Sequence, residues 1–361
     1  MRECPPMNLT LHDIVETIDG IIGPVTSYIH LPGEVIISPK YVLLQRTMQN
    51  MPGTIRVIHG NHYLRYNISI QGRLDPTYRK ASDDIHFLQP YYPHYFKSEG
   101  DSFLTVPYHR VQKVYRGRQG VVQLLEMPEN ICDSIQAAAI SLLKFLHENM
   151  IPLSNLGVVG SILLQLQTVG ISDIDLVVYG SSAYRQAMHL LSRGYLQTLR
   201  FPGESEWRSH YTQVGIMNRL SAEEYAKLMT QQFNRGSISG VDFGILAVRN
   251  AEEIEKLKRR LSYQYSLLYE NCELVGHVID DSEIMFMYPS IFCVEIEKWI
   301  SEHPRSGGTE LQIFNYSAPY VGLELQGKKI YLQGDLYLHE NKRRTKLCVK
   351  IWPRTGLLRI L

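Results

Sequence analysis

The stretch LGVVGSILLQLQTVGISDIDLVVYG, residues 156–180, decides the reading of this chain. Leu156 to Val159 is a short apolar run that ends in Gly160-Ser161. Residues 162–167 suit one or two helical turns. Residues 171–178 are rich in β-branched side chains and read as a second strand. The unit is therefore strand, Gly-Ser turn, short helix, strand. Side chains alternate along a strand, so Asp173 and Asp175 share one face while Ile174, Leu176 and Val178 turn to the core. Two carboxylates placed in this way repel, and each raises the other's pKa. A shared divalent cation relieves that repulsion. Hard oxygen donors favour Mg²⁺, which binds through one or two carboxylates plus substrate phosphates. At Gly160 the missing side chain lets a phosphate approach the backbone. Ser161 adds a hydroxyl and an amide N–H at a helix start, where anions are favoured. The bland alternative is a solvated Asp pair ending a strand, with an ordinary turn before it. The joint spacing of both parts weighs against that reading.

These residues resemble the nucleotidyltransferase superfamily that includes DNA polymerase beta, poly(A) polymerases and CCA-adding enzymes. Its pattern is Gly-Ser, a helical spacer, then Asp-x-Asp on the next strand. Gly160, Ser161, Asp173 and Asp175 match it, and Ser172 completes the common S-D-I-D-L form. The resemblance implies an α+β fold whose nucleotidyltransferase core is a mixed sheet with flanking helices. It implies two Mg²⁺ ions, replaceable by Mn²⁺, on Asp173 and Asp175, with Gly160, Ser161 and Ser172 on the phosphates of an NTP such as ATP. The implied reaction moves a nucleoside monophosphate from the NTP to an acceptor hydroxyl and releases pyrophosphate. RNA, DNA, a protein hydroxyl and a small molecule all stay open as acceptor.

The superfamily also places a third carboxylate on a later strand, as metal ligand and proton acceptor. Asp242, within a strand-like run over 238–248 broken by Gly240 and Gly244, is the candidate. A turn or edge aspartate beside a glycine explains it equally well. Asp280 and Asp281 are the other acids available, and they read as a loop or helix N-cap ahead of Glu283. Without a third acid, a catalytically inactive nucleotide- or RNA-binding module becomes the better reading. A toxin-type enzyme that modifies tRNA or protein is a third option. Beyond the motif, HLPGEVIISPKYV (30–42), VPYHRVQKVY (106–115) and DDSEIMFMYPSIFCVE (280–295) are similar to an archaeal group of uncharacterised nucleotidyltransferase-domain proteins.

A chain of 361 residues predicts two or three domains and a sizeable core. The net charge of +1 gives no general argument for a nucleic-acid or membrane partner. No apolar run is long enough to cross a bilayer, and the N-terminus shows no signal-peptide core. Cys4, Cys132, Cys272, Cys293 and Cys348 form no C-x-x-C pair, which reads as a reduced, cytoplasmic protein without a zinc site.

The expected organisation is a β-rich N-terminal domain over 1–120, a nucleotidyltransferase domain over 121–305, and a small C-terminal β unit over 306–361. Helices are predicted over 128–149, 182–194, 222–232 and 251–269. Ser221 and Glu224 form a capping box, and Glu252 pairs with Lys256. The alternating C-terminal runs, with the sharp turn HENKRRT, suggest an OB-like barrel of about five strands. Its basic residues Lys342, Arg343, Arg344 and Lys346 read as a charged hairpin tip guarding an edge, with nucleic-acid contact as the competing view. Arg110, Lys113, Arg116 and Arg118 form a second basic cluster, read as a solvated face, with contact to a phosphate backbone or to the nucleotide as the competing view. Arg235 is placed to reach a triphosphate or to sit on the surface, and His210 reads as structural.

Overall fold

The computed structural model describes residues 8–44, 54–65, 69–70, 73–74, 88–97, 104–214, 219–261, 264–301, 309–341, 344–352 and 355–361. The fold is mixed α+β, with a β-rich N-terminal region and a C-terminal β sheet, as expected. Two compact units are present. One comprises Met1–Val177, Gln213–Gly215 and Ser237–Gly244; the other comprises Val178–Thr212, Ile216–Gly236 and Ile245–Leu361.

The first unit opens with strands β1 (Ile14–Thr17), β2 (Ile21–Pro24), β3 (Glu34–Ile37), β4 (Tyr41–Leu43), β5 (Thr54–Ile58) and β6 (Asn61–Arg65). Then come β7 (Ser69–Ile70), β8 (Arg73–Leu74), β9 (Leu104–Pro107) and β10 (Val111–Tyr115). Six of them form one sheet in the order β10-β1-β2-β4-β6-β5, while β3 pairs with β9 and β7 with β8. The Val- and Ile-rich runs give these strands their propensity, and Val15, Ile21, Val35, Ile37 and Val106 are fully buried. The basic cluster is engaged in structure. Arg110 grips Asp19 through both of its oxygens, Arg116 bonds Asn8 O and pairs with Asp13, and Arg118 donates to Ser154 O. Lys113 lies 4.3 Å over the Tyr115 ring.

Helices α1 (Gly117–Leu125) and α2 (Ser134–Glu148) follow. The long helix starts later than Pro128 because Asp133 and Gln136 build a reciprocal capping box, with a 3₁₀ turn ahead of it. Next come β11 (Leu156–Val158), α3 (Gly160–Leu163), β12 (Ile174–Tyr179), α4 (Ser181–Ser192), β13 (Leu199–Arg200), α5 (Glu204–Val214), α6 (Ala222–Met229), β14 (Arg235–Ile238) and β15 (Val241–Val248). The five strands make a sheet in the order β11-β12-β15-β14-β13. The run over 238–248 is thus the end of a hairpin. Ser239 (φ 51°) and Gly240 (φ 79°) form its two-residue turn, both in the left-handed region that such turns demand. The Ser221–Glu224 capping box on α6 is present as read.

In the second unit, α7 (Ala251–Leu261) carries the expected Glu252–Lys256 pair at 2.8 Å. It stops short of 269, because Tyr265 to Tyr269 belong to β16 (Gln264–Glu283). Pairing with a partner strand overrides a helical pattern here. Strands β17 (Ser290–Trp299), β18 (Glu310–Asn315), β19 (Lys329–Asn341), β20 (Arg344–Ile351) and β21 (Leu357–Ile360) complete the unit. β16 pairs with both β17 and β19, β18 runs parallel to β20, and β19 pairs with β20, so five strands close into an OB-like barrel. Its first strand begins at Gln264, upstream of the sequence-based limit of 306. Leu274, Phe292, Ile313, Leu332 and Val349 fill the interior. The hairpin at HENKRRT joins β19 to β20; Lys342 and Arg343 lie outside the described residues. Among the described residues, no helix is long and apolar enough to cross a membrane.

His12 sets a pH dependence on the first unit. Its Nε2 is buried without a hydrogen-bond partner, and burial pushes its pKa down to about 4. The unfolded chain therefore takes up this proton at a higher pH than the folded one. Stability is expected to be flat above the ordinary histidine range and to fall as pH drops through about 6.5 towards 4, by about 3 kcal/mol in total. Urea midpoints of the parent and His12→Asn, compared between about pH 7 and pH 4.5, check this. Asparagine tolerates the φ of 69° at this position. The variant is expected to lose less stability on acidification, and parallel slopes would contradict the assignment.

Candidate active site

The site is built on the end of β11. Leu156 and Val158 bury that strand, and Val159 N donates to Asp175 O at 3.0 Å. This bond fixes the Gly-Ser bend against β12. Gly160 then turns into the left-handed region (φ 66°) to start α3. A Cβ at Gly160 would stand 2.2 Å from Asp175 Oδ2. The space that glycine leaves is therefore taken by the Asp175 carboxylate, rather than held open for a phosphate as its composition suggests. The bend and the second aspartate are in direct contact. Gly160→Ala is expected to cost about 1–2 kcal/mol from the backbone alone and to push the Asp175 carboxylate aside. An unchanged urea midpoint would contradict this packing.

α3 is a single turn of four residues, anchored by buried Ile162 and Leu163. Ser161, half-buried, has its carbonyl on Leu166 N at 2.8 Å. After it a tight loop presents Asp173. Ile171 N and Ser172 N both donate to Thr168 O, and Thr168 N donates to Ser172 Oγ at 2.9 Å. Ser172 thus closes the loop that carries Asp173 while keeping its own O–H. Two distant side chains brace the same loop. Arg56 Nη1 donates to Thr168 Oγ1 at 3.4 Å, and Gln167 Nε2 donates to Asp133 Oδ2 at 2.9 Å. Nothing local in the sequence marks these braces, because their partners lie 112 and 34 residues away.

On β12, Ile174, Leu176 and Val178 are fully buried and Asp175 is half-buried; Asp173, in the loop just ahead of the strand, is exposed. The alternation puts Asp175 on the side away from those apolar residues, with Asp173 two residues before it at the strand's entry. Asp242 is exposed near the start of β15. Gly180 N donates to Val248 O at 2.8 Å, which joins the C-terminal ends of neighbouring β12 and β15. Those strands therefore run in the same direction, and Asp173, Asp175 and Asp242 all lie towards their common N-terminal end. Among the described residues, no three His, Cys, Asp or Glu side chains converge closely enough to enclose a metal ion.

The remaining candidates belong to other arrangements. Asp280 and Asp281 stand in strand β16 rather than in a loop or cap. Asp280 Oδ1 accepts Ser282 N, and Asp281 Oδ2 accepts Leu325 N and Gln326 N. Arg235 is exposed at the start of β14. Arg208 pairs with Glu204 one helical turn away, and His210 packs against the rings of Trp207 and Tyr225, with Nδ1 3.3 Å from the Tyr225 hydroxyl.

No family model matches the chain. It is 22% identical over 335 residues to an uncharacterized protein, MJ1086, of Methanocaldococcus jannaschii, an alignment that covers 91% of each chain.

Proposed function

We propose that the chain is a metal-dependent nucleotidyltransferase, transferring a nucleoside monophosphate from an NTP to an acceptor hydroxyl with release of pyrophosphate. The observation that carries the reading is the contact of the Gly160-Ser161 bend with the Asp175 carboxylate. It joins the Gly-Ser and Asp-x-Asp parts of the motif in space. The donor set is compatible with Mg²⁺, since Asp173 and Asp175 offer hard carboxylate oxygens at adjoining positions and Asp242 stands at the same end of the neighbouring strand. Asp173 and Asp175 would hold the ions, with Asp242 as the further ligand. Bound Mg²⁺ supplies charge neutralisation for the leaving pyrophosphate and lowers the pKa of the acceptor hydroxyl.

The chain's own residues do the rest. Ser161 and Ser172 offer hydroxyl donors to phosphate oxygens. Asp242, exposed, accepts the proton of the acceptor hydroxyl. The braces from Arg56 and Asp133 hold the Asp173 loop in place, so that little ordering remains to be done when substrate arrives. The test is incubation with each labelled NTP in Mg²⁺ or Mn²⁺ against total cellular RNA and protein. Metal-dependent labelling of one fraction with pyrophosphate release is the expected result. Failure of every NTP on every fraction would remove the reading.

The closed OB-like barrel favours a second reading, a nucleotide- or RNA-binding module without catalysis, because such barrels often hold oligonucleotides. A fold analogy carries little function by itself. Calorimetric titration of NTP beside a turnover assay separates the two: tight binding without pyrophosphate release selects the module.

A further inference from the structure

The second unit contains a cavity of about 530 Å³, within the range of small-molecule sites. Its walls come from α4, residues 231–234, residues 281–285 and the loop at 322–328. Tyr184, Gln232, Asn234, Ile284, Met285 and Leu323 are its buried residues. Three features describe what it would hold.

The first is charge. Arg185 and Lys328 are matched by Asp281 and Glu324, two of each sign, so the lining has no formal net charge with His189 neutral. A ligand with a large net charge would gain no matching excess here, and burying an unpaired charge is costly. The second is the polar lining, where side-chain amides are prominent: Gln231, Gln232, Asn234 and Gln326. Gln231 and Gln232 each give one amide N–H to a backbone carbonyl, Lys227 O and Pro319 O, and Asn234 bonds the Tyr184 hydroxyl. What an amide still offers, a second N–H beside an oxygen, matches the edge of a nitrogen heterocycle that carries both a donor and an acceptor. Phe233, Met188 and Met285 supply apolar surface for the faces of such a ring.

The third feature is Asn234. It is 9% exposed and bonds the Tyr184 hydroxyl, yet its Oδ1 has no hydrogen-bond partner. A buried amide oxygen left empty costs about 1–3 kcal/mol, and folded proteins seldom leave one so. What it lacks is an N–H or O–H donor, which an exocyclic amino group supplies. Oδ1 is covered in this structure. The two methionines, unbranched and with three rotatable bonds each, give the lining the adaptability that uncovering it needs.

We infer that this cavity binds an uncharged nitrogen heterocycle of the nucleoside class, with its donor edge towards Asn234. Nucleoside binding here does not depend on the transferase chemistry proposed above. The test is calorimetric titration of the whole chain with adenosine, cytidine, guanosine and uridine in turn, without divalent metal. One of the four is expected to bind at one site per chain. Asn234→Leu is expected to weaken it about tenfold or more, the scale of one buried hydrogen bond. Met188→Trp, which fills the cavity from a half-buried wall position, is expected to abolish binding while the unfolding midpoint is kept. Asp173→Asn is expected to leave the affinity unchanged. Four nucleosides without binding up to millimolar concentration would overturn the inference. So would a folded Met188→Trp or a folded Asn234→Leu that binds like the parent. Loss of binding in Asp173→Asn would place the nucleoside at the aspartate pair instead and overturn it equally.

Discussion

Asp175→Asn is expected to lower Mg²⁺-dependent nucleotide incorporation by about 10²–10³-fold or more, on the scale of removing one preorganised group that stabilises transition-state charge. The substitution keeps the shape of the side chain and removes its charge. The half-buried carboxylate lies against the Gly160 position, where a Cβ would stand 2.2 Å from its Oδ2. The isosteric amide preserves that contact, so the unfolding midpoint should move little, and lost activity then reports lost chemistry rather than lost fold. Asp173→Asn should behave alike. Full activity in the folded Asp175→Asn protein would reject the assignment of this residue.

Arg249→Ala is expected to cost about 3–5 kcal/mol of stability, the range for breaking a buried ion pair from one side. The Arg249 side chain is 0% exposed. Its Nη2 donates to Glu283 Oε2 at 3.3 Å and to Pro289 O at 3.0 Å, its Nη1 reaches Met287 O at 3.5 Å, and its guanidinium lies 4.4 Å over the Phe286 ring. Truncation strips all of these at once and leaves a void beside a fully buried aromatic ring. Arg260 pairs with the same Glu283 but is 38% exposed. Its removal should cost at most about 1 kcal/mol, as for other solvated ion pairs. Urea denaturation of the two variants side by side checks the contrast. Equal losses, or an Arg249→Ala loss below about 1 kcal/mol, would contradict it.

The parts of the structure visible in the sequence are those governed by local rules. The strand–turn–helix–strand order over 156–180 follows from apolar runs broken by Gly160-Ser161 and is present. The helix, however, is one turn at Gly160–Leu163 rather than over 162–167, and the second strand starts at Ile174 rather than 171, because the bonds to Thr168 O fold 168–172 into a loop. The α6 capping box needs only Ser221 and Glu224 at their spacing. The barrel's alternation was legible, but its first strand was not. Gln264 to Tyr269 follows a charged helix without a glycine or proline break, and its strand conformation comes from pairing with Leu336 to Glu340 on β19, some seventy residues on. The start of α2 was misplaced for the opposite reason: Pro128 is a general helix-start signal, while Asp133 and Gln136 form the more specific reciprocal cap. At the candidate site, the type and spacing of the acids were legible. That Asp175 occupies the room left by Gly160, and that Arg56 braces the Asp173 loop, depend on contacts no local window contains. The cavity with Asn234 lay wholly outside the motif, assembled from four separate segments.

The central claim is that Asp173 and Asp175, beside the Gly160-Ser161 bend, clasp a metal-bound triphosphate. Mn²⁺ titration followed by electron paramagnetic resonance, with a non-hydrolysable NTP analogue present, tests it most directly. The parent chain should remove Mn²⁺ from the free signal in an NTP-dependent way, and the folded Asp173→Asn, Asp175→Asn double variant should not. Equal Mn²⁺ uptake by the two proteins would contradict the account.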